Sequence, residues 1–117
     1  NATWYPVDQA ASGATFLLGI AHNVGFGGSN TGYVLLEGHV VIDGASTSGP
    51  YVQGPDYGLP IYIRDGTTQG LMSTVVPFTT GGTRAIRILG HCYQQNVGTS
   101  TSQWMMKFRP SNDWVLI

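Results

Sequence analysis

The chain has 117 residues, a length at which a single domain can enclose one hydrophobic core. Charged residues make up only 9% of the sequence, against about 25% in an average soluble domain, whereas 42% of the residues are hydrophobic. This composition excludes the polar, highly charged type of disordered chain. A formal net charge of −1 gives no electrostatic footprint for nucleic acid or for an anionic membrane surface.

Glycine and proline divide the chain into short segments. The 17 glycines and six prolines separate runs rich in Val, Ile, Thr and Tyr, residue types that fit pleated sheets. The single cysteine, Cys92, excludes an intrachain disulfide, and no apolar run approaches the ~20 residues that span a bilayer. We therefore expect an all-β domain. Asn1 in place of an initiator Met indicates a processed chain or a piece of a longer one.

The first half of the chain predicts two strands. Residues 15–21 form a short apolar run, and residues 33–42 alternate apolar and polar side chains with the period of two of a half-buried strand. Gly38, inside the second run, indicates a bulge or a close approach of two backbones. The glycine-rich residues 23–32 predict a turn or loop, and residues 43–58, interrupted by prolines, predict a long loop suited to variable contacts.

The second half adds further short strands. Residues 59–64 and 70–76 are expected to pair as a hairpin. Residues 84–93 and 103–109 are two longer alternating runs, and residues 114–117 end the chain as an apolar strand. Roughly seven strands at close spacing predict one all-β domain over the whole chain, an antiparallel β-sandwich or barrel of jelly-roll-like form.

The three histidines invite a metal site, but their spacing does not favour one. Zinc ligands usually occur at short fixed spacings, whereas His22, His39 and His91 are far apart in the chain. Neighbouring strands could still bring His39 and His91 together; the simpler expectation is that each histidine forms local hydrogen bonds. Cys92 follows His91 in one strand, so the two side chains point to opposite faces, and we expect a buried structural thiol.

The acidic residues do not form a recognisable catalytic set. Three aspartates lie beside turn residues, where Asp serves the backbone conformation: Asp43, Asp65 and Asp113. Glu37 lies on the polar face of a predicted strand, with Arg84 or Arg87 as candidate partners. Because no nucleophile is paired with a base, we expect no enzyme activity, no catalytic residues, no metal and no cofactor.

The aromatic residues offer candidate contacts. Tyr51 and Tyr57 lie in the long loop, where aromatic rings can stack on sugars or anchor an interface. Trp104, Phe108 and Trp114 are expected to pack in the core.

The C-terminal end carries no polar tail. Trp114, Val115, Leu116 and Ile117 would expose an apolar edge if they frayed, so we expect them to pair in a sheet or to press against another chain. They are therefore candidates for an interface or for terminal-strand packing.

Half of the chain carries a resemblance to a known kind of domain. Three segments carry it: Gly58-Leu-Pro-Ile-Tyr-Ile63 with Gly70 after it, Arg87-Ile-Leu-Gly-His-Cys-Tyr93 after Pro77, and Phe108-Arg-Pro-Ser-Asn-Asp-Trp-Val115. Their order is similar to that of a β-rich domain found, often at the C-terminus, in virion proteins of tailed bacteriophages. The match covers residues 58–117. It departs from the pattern at His91-Cys92, where a bulky aromatic residue is usual.

The resemblance implies a non-enzymatic virion structural domain, a capsid-decorating or fibre or knob protein exposed on the particle surface. It also implies a homo-oligomer, with a trimer favoured, and contacts with other virion proteins. The alternative that it leaves open is a receptor-binding module of a tail fibre that recognises a carbohydrate on the host surface. We expect no nucleic-acid or membrane partner for either function.

Overall fold

A computed structural model describes residues 6–22, 33–45, 50–66, 69–81, 83–95 and 102–117. These residues form short β-strands and one single-turn helix, which confirms the all-β prediction. The elements are α1 (Ala11–Ala14), β1 (Ile20–His22), β2 (Tyr33–Leu35), β3 (Gly38–Asp43), β4 (Val52–Gln53), β5 (Pro60–Ile63), β6 (Met72–Ser73), β7 (Ala85–Ile86), β8 (Ile88–Gln95), β9 (Gln103–Phe108) and β10 (Val115–Leu116). The predicted loop at residues 23–32 lies outside the described residues.

A curled six-stranded sheet forms most of the molecule. Its strand order is β3-β9-β8-β5-β6-β4, and its pairs are antiparallel except for β4 with β6. The two edge strands approach each other, because Asp43 forms a bridge with Tyr51 and donates its N–H to the Pro50 carbonyl at 2.9 Å. A sheet whose edges meet in this way is compatible with the predicted sandwich or barrel.

Two small sheets flank the large one. In one, β1 pairs with β2, and in the other β10 pairs antiparallel with β7. Val115 lies opposite Ile86, and Ile117 donates its N–H to the carbonyl of Arg84 at 2.9 Å. The C-terminal segment is therefore held in a sheet, as its sequence predicts.

Several predicted strands are shorter than expected. Residues 15–21 were expected to be a strand, yet only the end of this run lies in β1, and α1 precedes a turn there. The run at 33–42 is broken between β2 and β3, and the run at 84–93 is broken at Arg87. The described residues thus contain ten short strands rather than about seven.

The core lies on the inner face of the large sheet. Along β9, Trp104, Met106 and Phe108 are buried and alternate with more exposed residues. Buried residues of the neighbouring strands complete this core: Ile42, Val52, Ile61, Ile63, Met72, Leu89 and Cys92. Apolar alternation on β9 therefore identifies the inner face correctly, and on the opposite face His39, Lys107 and His91 of β3, β9 and β8 are exposed.

Two glycines flank Phe108. Gly38 of β3 and Gly90 of β8 are both its cross-strand partners. A Cβ atom at Gly90 would overlap the backbone carbonyl of Lys107, so this position requires glycine. Each glycine is followed by a histidine, and the two Gly-His pairs therefore lie in the same register on either side of β9.

Candidate functional site

The C-terminal strand exposes apolar side chains. Trp114, Val115 and Leu116 are 41%, 61% and 54% exposed. The expectation that Trp114 packs in the core with Trp104 and Phe108 is wrong for Trp114, although it is confirmed for the other two. Ile117 is partly buried. Because β10 has only a two-residue ladder against β7, its side chains on both faces remain open to solvent.

Among the described residues, one edge of β10 has no strand paired with it. In the part of the chain that the structure describes, β7 is the one strand that pairs with it. Ile117 donates its N–H toward Arg84, so the alternation of an antiparallel pair turns the N–H and C=O of Leu116 away from β7. Proteins blunt such edges with short strands, charged residues, prolines or bulges; β10 is short, and its two residues are Val and Leu.

Arg87 fixes the C-terminal segment against the N-terminal one. Its guanidinium is buried and donates three hydrogen bonds to backbone carbonyls, those of Ser111 at 2.6 Å, Ala14 at 3.0 Å and Phe16 at 2.6 Å. It also lies 5.1 Å from the centroid of the Trp114 ring, within the range of a cation–π contact. Burial lowers the pKa of Arg87 from its ordinary value, but an arginine remains charged in a protein.

These contacts bring a further apolar residue to the same surface. Phe16 is largely exposed, and its carbonyl binds the guanidinium that Trp114 covers. We refer to Phe16, Trp114, Val115 and Leu116 together as the C-terminal patch. Single exposed apolar residues are ordinary, whereas Val115 and Leu116 expose apolar side chains on both faces of β10, which makes this strand a candidate interaction surface.

A second surface lies on the outer face of the large sheet. His39, Lys107 and His91 are direct cross-strand neighbours on β3, β9 and β8, and all three are exposed. We call them the histidine row. Tyr93 occupies a bulge in β8 and reaches across β9, so that its hydroxyl lies 2.8 Å from Nδ1 of His39. Their rings meet edge to face at 5.3 Å.

An ion pair borders the histidine row. The Arg109 guanidinium lies 3.3 Å from the carboxylate of Glu37, and both side chains are mostly exposed. The expected partners of Glu37, Arg84 and Arg87, are therefore wrong. Arg87 is engaged by backbone carbonyls, and a strand break at its own position removes it from the alternating face.

The two loop tyrosines have different surroundings. Tyr51 is partly buried and forms the bridge to Asp43, so its backbone helps to close the large sheet. Tyr57 is 60% exposed, and its ring packs edge-on against Trp104 at 4.8 Å between centroids. The two candidates therefore differ in exposure, and Tyr57 is the more exposed of the two.

Two aspartates beside turns and the single cysteine have structural roles. Asp43 accepts a hydrogen bond from the Ala45 N–H, and Asp65 accepts bonds from Thr79 and from the Phe78 N–H, as expected for aspartates beside turns. Cys92 is buried, and burial raises the pKa of its thiol, which disfavours the reactive thiolate.

The described residues contain no cluster of three or more His, Cys, Asp or Glu side chains that could hold a metal ion. His39 and His91 share a row but are separated by β9, and the side chain of His22 lies outside the described residues. Within the same described ranges, no helix is long and apolar enough to cross a membrane.

Comparison with family models, curated proteins and solved structures finds no match to this chain. The C-terminal patch and the histidine row are therefore the features of the molecule that bear on its function.

Proposed function

We propose that this chain is a non-enzymatic structural domain at the surface of a tailed-bacteriophage particle, and that it self-associates through the C-terminal patch. The patch carries the proposal. Trp114, Val115 and Leu116 are exposed on a strand with a free backbone edge, and burial of each large apolar side chain contributes about 1.5–3 kcal/mol. Other copies of the chain offer the same apolar strand, so neighbouring copies in an oligomer can cover these side chains.

The virion part of the proposal rests on the resemblance, and the segments that carry it contact one another. Arg87, in the second of the resembling segments, lies under the ring of Trp114, in the third. Gly90 and Phe108, from the same two segments, are cross-strand partners. Residues of the second and third resembling segments therefore pack against each other in one structural unit.

The composition supports an assembly role at a particle surface. Only 9% of the residues are charged, so adjacent copies meet with little electrostatic repulsion. The trimer that the resemblance favours is part of the proposal, as are contacts between the C-terminal patch and other virion proteins.

Light scattering tests the self-association. The wild-type chain, of 12.5 kDa, should show a mass that rises with concentration to a multiple of that value. The double variant Val115→Thr/Leu116→Thr should remain a monomer at the same concentrations. Val75→Thr/Val76→Thr is the matched control, because these two adjacent residues are equally exposed but lie after β6. The proposal would be contradicted if the wild-type chain stays a monomer at every concentration. It would also be contradicted if both double variants lose self-association to the same extent.

A further inference from the structure

Basic side chains are concentrated on the outer face of the large sheet. The chain has five Lys and Arg residues and three His residues, and four of these eight lie in two adjacent rows on β3, β9 and β8 or directly after them: His39, His91, Lys107 and Arg109. Half of the basic residues of this charge-poor protein are therefore gathered on one face of the large sheet. Glu37, the acid that borders these rows, is already paired with Arg109.

The histidine row places hydrogen-bonding groups side by side on the outer face, because side chains directly opposite one another lie close across strands. Lys107 lies between His39 and His91 in the register. An oxyanion placed over the row would accept hydrogen bonds from the lysine ammonium and from imidazole N–H groups. Such hydrogen bonds are stronger than neutral ones because the acceptor is ionised.

Tyr93 shapes the surface beside the row. It is the bulged residue between Cys92 and Gln94, and bulges frequently re-aim a side chain at a functional surface. Its contact with His39 holds the imidazole ring in one orientation, and its own ring remains partly exposed. The surface thus combines oriented hydrogen-bonding groups with an aromatic ring that can contact the apolar side of a sugar.

We propose that this outer face binds an anionic polysaccharide whose carboxylate or phosphate groups contact the histidine row. Three strands about 4.8 Å apart spread the row over roughly 10 Å of an open sheet face, which suits an extended polymer with repeated anionic groups. A duplex nucleic acid is disfavoured, because its binding depends on several phosphate contacts and Lys107 is one charge beside an already paired Arg109. A saccharide can in addition pack a ring against the exposed Tyr93.

Titration calorimetry at low ionic strength tests the proposal. The wild-type chain is titrated with polygalacturonate, which carries carboxylates, with phosphomannan, which carries phosphates, with neutral dextran and with a DNA duplex. The variants are Lys107→Gln in the row, Arg64→Gln as a control that removes one positive charge elsewhere, and Tyr57→Ala at the exposed loop tyrosine.

We expect binding to at least one anionic polysaccharide and none to dextran, with affinity that falls as salt is added. The polymer that binds with the higher affinity shows whether the row prefers carboxylate or phosphate groups. Lys107→Gln should weaken binding about tenfold or more, and Arg64→Gln should leave it within about twofold. The proposal is overturned by no binding to either anionic polymer, by equal losses in Lys107→Gln and Arg64→Gln, or by tighter binding to DNA. Loss of binding in Tyr57→Ala alone would place the saccharide contact at the loop instead and would also overturn it.

Discussion

At the scale of single residues, Arg87 connects segments that are distant in sequence. One guanidinium binds the Ser111 carbonyl after β9 and the carbonyls of Ala14 and Phe16 at and just after the end of α1. It also supports the Trp114 ring. A planar fork with several fixed donors can satisfy such divergent acceptors, whereas a lysine ammonium cannot reach them all. Arg87 therefore positions the C-terminal patch without being part of its exposed surface.

Replacement of Arg87 by lysine tests this role. Arg87→Lys retains the charge but loses most of the hydrogen bonds to the carbonyls of Ser111, Ala14 and Phe16. Each such bond to a charged group contributes about 1.5–3 kcal/mol at most, so we expect a loss of roughly 2–4 kcal/mol in the free energy of urea unfolding.

Arg109→Lys is the matched control, since Arg109 is largely exposed and its ion pair with Glu37 contributes little, about 0–1 kcal/mol. The same urea midpoint for Arg87→Lys and Arg109→Lys would contradict the role assigned to Arg87.

At the scale of elements, the sequence predicts best where local pattern and burial agree. The alternation of residues 103–109 identifies both β9 and its buried face, because that strand is central and half-buried. Residues 15–21 look like a strand because they are apolar, but the carbonyls of Ala14 and Phe16 bind Arg87 instead of a strand partner. The competing hydrogen bonds come from more than 70 residues away, which a local pattern cannot reveal.

Asp65 joins two irregular segments in a similar manner. It follows β5 and accepts hydrogen bonds from the Thr79 hydroxyl at 2.7 Å, the Thr79 N–H at 2.9 Å and the Phe78 N–H at 3.2 Å. The bond from the Thr79 hydroxyl is the largest cause that lowers the pKa of Asp65 below its ordinary value. Its carboxylate form therefore holds the segment before β7 against the end of β5.

The lowered pKa of Asp65 predicts a pH dependence. A carboxyl whose pKa is lower in the folded chain stabilises it above the unfolded pKa of about 3.9, and this contribution is lost as the pH falls through the folded pKa. Asp65→Asn should therefore lower the urea midpoint at pH 7, and the difference from wild type should shrink below about pH 4.

Asp113→Asn is the control for this experiment, because Asp113 is exposed and is held through its backbone N–H, which binds Ser111. A difference between Asp65→Asn and wild type that stays constant from neutral to acid pH would contradict the assignment.

At the scale of the whole molecule, the core and the two candidate surfaces lie on different parts of the fold. The inner face of the large sheet encloses the core, and its outer face carries the histidine row. The strand β10, in the small sheet with β7, carries Val115 and Leu116 of the C-terminal patch. The apolar C-terminal end could be recognised in the sequence as an interface candidate. The histidine row could not, since its members lie on three strands and meet only through the register on β9.

The central claim is that the free edge of β10 is where copies of the chain meet. Amide hydrogen exchange at Leu116, followed by NMR at low and high protein concentration, tests it most directly, because the N–H of Leu116 points away from β7. We predict that this amide becomes protected as concentration rises, while the amide of Val75, which binds Ser73 within its own chain, exchanges at a constant rate. A molecular mass that grows with concentration while exchange at Leu116 stays unchanged would contradict the claim.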